Sequence, residues 1–231
     1  MSEAHAVSFE KSKIEWDGRT VSLVYGVPSN EASRGDCVVI APGAGGPMYS
    51  PFVTYFHAEL AKRGFLTVKF NFPYMEARRR FPDRKDVLED SYRRVVEHVR
   101  SGPYGSSRFF LGGKSMGGRI ASQAVAEGLA ADGLFFLGYP LHPPGRPAQL
   151  RDSHLYKINA PMIFVSGTRD QFAGRDLLAG VVEKLGAKAT IHWIENGDHS
   201  FNVGNGKEEL NRTYLAVLAL LSDWFRDKSD G

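Results

Sequence analysis

With 231 residues, 42% of them hydrophobic and 24% charged, the chain is long enough for one well-cored domain and too ordinary in composition for a disordered, fibrous or disulfide-stapled protein. The net charge of +3 is too weak to argue for nucleic acid, and no apolar stretch nears the ~18 residues of a membrane span. One cysteine, Cys37, excludes an internal disulfide and reads as a buried thiol in the run "CVVIA". The opening "MSEAHAVSFEKSK" lacks the apolar core of a secretory signal, so a cytoplasmic location is the default expectation.

In chain order, Ile14 and Trp16 lead into Asp17-Gly18, and Val21, Leu23 and Tyr25 lead out. Alternating apolar residues around Asp-Gly predict an antiparallel hairpin. "RGD" (34–36) has the form of an adhesion tripeptide but reads as a turn before a strand. The short apolar run 37–41 predicts a strand covered on both faces, followed by the Gly-rich loop "PGAGGP". Phe52, Phe56 and Leu60 give a helix over 52–63, stopped by Gly64.

Further strands are predicted at 65–70, 108–113, 133–140, 161–167 and 189–195. Helices are predicted at 83–100 (Val87, Tyr92, Val95, Val96, Val99), 116–129, 173–185 and 207–226 (Leu210, Tyr214, Leu218, Leu221, Trp224). Strands alternating with helices imply right-handed crossovers, a mostly parallel sheet with helices on both faces, and an antiparallel hairpin at its edge. No repeat or linker divides residues 1–231, so a single α/β domain is expected. The stretch 141–160 is irregular, and loops of that length are often functional.

"FFLGGKSMGGRIA" (109–121) carries two competing motifs. A phosphate-binding loop ending at Gly113-Lys114-Ser115 needs its first glycine at 108, where Arg108 stands inside a strand; that reading fails. Gly113-Lys114-Ser115-Met116-Gly117 instead spans a strand-to-helix junction. Such an elbow lifts a serine hydroxyl above the sheet, and the flanking glycines relieve the crowding. An ordinary Gly-rich turn is the bland alternative.

A nucleophilic serine needs a base, and the base an orienting acid. "PMIFVSGTRD" places Asp170 just after one core strand, and "IHWIENGDHSF" places His199 after the last, so the order is Ser…Asp…His. All three emerge at the carboxyl edge of the sheet, where open α/β folds build sites. Oxyanion donors are expected from the backbone of Met116 and, in the loop 41–47, of Ala44, with Gly43 close behind.

At these residues the chain resembles the α/β-hydrolase superfamily, in particular its small, lidless members of dienelactone-hydrolase type. The resemblance covers about residues 37–225 through "APGAGG", "GGKSMGGRIAS", "SGTRD" and "GDHSF", with weaker echoes in "NFPYMEARRRFPD" and "LGYPLHPPG". It implies the α/β-hydrolase fold without a large cap domain, Ser115 as nucleophile, Asp170 as acid and His199 as base. Pro42 stands where many relatives have a histidine, which removes a loop-bracing side chain but no backbone donor.

Other candidates carry less. His57, His98 and His192 lie in helices or a strand and read as structural or exposed. His142 and His154 lie in the irregular loop, where contact with substrate is conceivable, but no metal-ligand spacing surrounds them. Asp198 adjoins His199, so its side chain should point elsewhere; Asp176 and Asp132 read as helix and turn residues. Arg78, Arg79, Arg80, Arg84 and Lys85 form either a solvated loop or a rim that attracts anions. Lys114 and Arg169 flank triad members and, with His142, are the candidate substrate contacts.

The expected function is hydrolysis of an ester or related acyl bond in a small molecule, through an acyl-enzyme and without cofactor, metal, nucleic acid or membrane. A homodimer through the apolar final helix is a further expectation. The alternatives are a catalytically silent interaction module of the same fold, or a peptidase or carbon–carbon hydrolase, although such peptidases usually carry an extra domain.

Overall fold

The computed structural model describes residues 6–29, 35–204 and 206–227. The hairpin is longer than its turn signal: β1 (Val7–Trp16) pairs antiparallel with β2 (Arg19–Pro28) along its whole length. There follow β3 (Asp36–Ala41), α1 (Pro51–Lys62), β4 (Leu66–Phe70), α2 (Pro73–Glu76), α3 (Lys85–Arg100), β5 (Arg108–Lys114) and α4 (Met116–Ala126). The rest are β6 (Gly133–Leu137), β7 (Met162–Gly167), α5 (Arg175–Leu185), β8 (Ala189–Ile194) and α6 (Gly206–Asp227). The sheet order is β1-β2-β4-β3-β5-β6-β7-β8, with β2 antiparallel to β4 and every pair from β4 to β8 parallel. Of the RGD triplet, Arg34 lies outside the described residues. Asp36 opens β3, paired with Arg108 at 2.7 Å.

The continuous apolar runs follow from burial on both faces, and the pleat deals their residues alternately. Cys37, Val39 and Ala41 of β3 join Leu111, Phe136 and Phe164 under α3, α4 and α5. Val38 and Ile40 join Phe110, Phe135 and Val165 under α1 and α6. On α3 the buried stripe starts at Leu88, with Val87 half-exposed; on α6 it is Val217, Leu218, Leu221, Trp224 and Phe225, while Leu210 and Tyr214 are half-buried. The last helix is therefore built into the core. No helix among the described residues is long and apolar enough to cross a membrane.

His57 is one of the core's few polar groups. Its Nε2 meets the Val24 carbonyl at 3.0 Å, and burial, helped by nearby Lys69, pushes its pKa down to about 3 from 6.5. His154 is pushed down to about 4, mainly by burial and by Arg119. An unfolded chain protonates both below about pH 6.5, so the unfolded state binds more protons than the folded one between there and pH 3–4. Stability is thus complete above 6.5 and falls as pH drops through that window, by up to about 1.4 kcal/mol per pH unit per histidine. Melting temperatures from pH 7 to 4.5 should show this decline, with a shallower slope in His57→Gln; identical slopes would count against it.

Candidate active site

Ser115 sits between β5 and α4 at φ +51°, ψ −118°. A non-glycine residue there costs on the order of 1–3 kcal/mol and persists only when its surroundings hold it. They do: the Ser115 amide donates to the Leu137 carbonyl at 3.0 Å, and its carbonyl accepts from Arg119 at 3.2 Å. Gly117 shows why the elbow needs small residues. A Cβ there would stand 2.4 Å from the Ala41 carbonyl oxygen and 2.7 Å from that of Pro42, backbone atoms that cannot step aside.

Asp170 follows β7 and is buried. Its Oδ1 accepts from the Phe172 amide at 2.8 Å, and its Oδ2 meets Nδ1 of His199, also at 2.8 Å. Close backbone packing brings the two loops together: a Cβ on Gly167 would fall 2.1 Å from the Gly197 carbonyl oxygen. The His199 loop is turned by Asp198, whose Oδ1 accepts from the amides of Ser200 (2.7 Å) and Asn202 (3.0 Å). Asp198 therefore caps its own loop, and Asp170 holds the imidazole. Phe172 packs on the His199 ring at 4.5 Å between centroids.

Ser115 and His199 line one cavity of about 650 Å³, together with Gly43, Ala44, Met116 and Lys114. The loop after β3 passes directly over the elbow, since a Cβ on Gly43 would lie 3.5 Å from that of Ser115. It is braced by the Tyr74 hydroxyl, which accepts from the Gly45 amide at 3.0 Å, and by Asn71 Oδ1, which accepts from Met48 at 2.8 Å. These braces occupy the role left open by Pro42.

Lys114 is buried under the site. Its ammonium donates to the His199 carbonyl and faces the rings of Phe52 and Phe201, 5.1 and 5.7 Å from their centroids. Burial pushes its pKa down to about 8, against the pull of Asp170 and Asp198. It ties the elbow to the histidine loop. His142 and Arg169, the other expected substrate contacts, are not on the cavity wall. His142 Nδ1 meets the Pro143 carbonyl at 2.9 Å, and Arg169 donates Nε to the Asn196 carbonyl at 2.8 Å, so each serves its own loop.

A second serine–histidine pair exists, with Ser122 Oγ 2.8 Å from His154 Nε2. Ser122 lies wholly buried within α4, donates to the Arg119 carbonyl at 2.8 Å, and does not line the cavity. That pair fastens the 141–160 loop to α4. Three of the five cations in the basic cluster are paired: Arg79 with Asp83, Arg84 with Asp86 (2.8 Å) and Lys85 with Glu89 (3.3 Å). Among the described residues no group of three or more His, Cys, Asp or Glu could hold a metal.

The sheet order, the strained serine between β5 and α4, and the lack of any cap inserted among the described residues define an α/β-hydrolase fold. The chain belongs to the alpha/beta hydrolase domain family, whose model matches residues 34–224. It is similar in structure to a lidless α/β serine hydrolase from Xanthomonas campestris (20% identity, TM-score 0.75, covering 95% of this chain and 94% of that one). An α/β serine hydrolase homologue from Coxiella burnetii matches at 18% identity and TM-score 0.75, over 92% and 97% of the two chains. A dienelactone hydrolase from Anabaena variabilis matches at 19% and 0.73, over 96% and 99%.

Proposed function

We propose that the protein is a serine hydrolase that cleaves an ester or related acyl bond of a small molecule. The observation that carries this reading is His199, its Nδ1 held by the buried Asp170 at 2.8 Å, on the wall of the cavity that Ser115 also lines. In the mechanism, Ser115 Oγ attacks the acyl carbon while His199 Nε2 takes its proton. Asp170 holds Nδ1–H, fixing the tautomer and stabilising the imidazolium. The amides of Met116 and Ala44, with Gly43 behind, receive the oxyanion. His199 then protonates the leaving alcohol, and a water activated by the same imidazole releases the acid from the acyl-enzyme. This sequence uses no cofactor.

The test is hydrolysis of short p-nitrophenyl esters by the purified protein. Release of p-nitrophenolate well above the buffer rate supports the reading. A rate equal to buffer, with no labelling by a fluorophosphonate, favours the silent interaction module instead.

A further inference from the structure

Four cations line the cavity, Lys85, Lys114, Arg119 and Arg151, against one carboxylate, Asp83. Three of these five groups are engaged: Lys85 by Glu89, Asp83 by Arg79, and Lys114 by the His199 carbonyl. Neither guanidinium group makes an ion pair among the described residues. Arg119 donates Nη1 to the uncharged Gln123 Oε1 at 3.2 Å, and its Nε is buried with no hydrogen-bond partner among the described residues. The Arg151 side chain makes no hydrogen bond or ion pair among the described residues, and its backbone carbonyl is held by Tyr139. After burial, Arg151 is the largest cause that pushes Arg119 below its ordinary pKa, ahead of the opposing pull of Tyr139 and Glu89. A buried donor without an acceptor is destabilising, and a planar guanidinium is best satisfied by a carboxylate.

Position matters as much as charge. Arg119 stands one helical turn beyond Ser115, and residues four apart share a face with a rise of roughly 6 Å. Met116, Ile120 and Leu88 line the same cavity, giving methylene groups an apolar wall.

We propose that Arg119 and Arg151 form a carboxylate subsite, so that the preferred substrate is an acyl ester bearing a second, anionic group at the far end of its acyl chain. This rests on the hydrolase reading above and names the substrate class for that site.

The experiment compares kcat/KM for mono-p-nitrophenyl adipate and p-nitrophenyl hexanoate, which share an acyl length and differ in the terminal carboxylate. At low ionic strength the wild type should prefer the adipate ester at least tenfold, and the preference should fall toward one in Arg119→Gln and in Arg151→Gln. No preference in the wild type, or one that survives in Arg151→Gln, overturns the subsite. Arg119 is packed into α4, so if its variant fails to fold, Arg151→Gln decides alone. Calorimetric binding of free adipate separates the two readings. In Ser115→Ala it should bind and weaken at least fivefold when Arg151→Gln is added. Adipate binding that depends on Arg151 without any ester turnover sinks the hydrolase reading and keeps the subsite. Ester turnover without an adipate preference does the reverse, and neither turnover nor binding overturns both.

Discussion

Ser115→Ala is expected to lower kcat on p-nitrophenyl esters by about 10⁴–10⁶-fold while leaving the melting temperature nearly unchanged. The two halves of this prediction have separate causes. In the proposed mechanism the Ser115 hydroxyl forms the acyl-enzyme, so its removal leaves what the oxyanion donors and binding supply. The Cβ that suffers the strained φ of +51° is kept by alanine, and the amide and carbonyl of residue 115 keep their bonds to Leu137 and Arg119. A rate within tenfold of wild type would show that another group attacks the substrate. A large fall in melting temperature would show that the hydroxyl serves the fold.

Asp170→Asn is expected to cost about 10⁴-fold in kcat, again with the fold intact. The asparagine oxygen still accepts from the Phe172 amide, as Asp170 Oδ1 does at 2.8 Å. The change falls on the other atom. An amide NH₂ facing His199 Nδ1 must donate, so the imidazole is held with its proton on Nε2. That nitrogen can then no longer take the proton of Ser115. The measurement is kcat at neutral pH with circular dichroism as the control for folding. If Asp198→Asn costs more than Asp170→Asn, the acid has been assigned to the wrong neighbour.

The fold was largely readable because burial on both faces of a parallel sheet forces continuous apolar runs, and because Asp17-Gly18 announces its hairpin. What escaped was too short for any periodicity: the four-residue α2 and the single 3₁₀ turns at Leu155–Lys157 and Gly186–Lys188. The site divides in the same way. Ser115, Asp170 and His199 are legible because each follows a strand, so the topology alone brings them to one edge. The residues that hold them are not. Nothing in "GGKSM" tells that the Lys114 ammonium reaches a carbonyl 85 residues away, or that the Tyr74 hydroxyl braces Gly45. Nothing in the sequence singles out Arg119 within the helix 116–129; its unpartnered Nε and its place on the cavity wall mark it out. By contrast the cluster at 78–85 reads in the sequence as either a solvated loop or an anion-attracting rim, and two of its four arginines, Arg79 and Arg84, are occupied by neighbouring carboxylates.

The most direct test is to treat the protein with a fluorophosphonate and map the adduct by peptide mass spectrometry. A single adduct on Ser115, lost in Ser115→Ala and slowed by orders of magnitude in Asp170→Asn, is the predicted result. Labelling at Ser122 or any other serine, or none at all under conditions where the ester is hydrolysed, would contradict it.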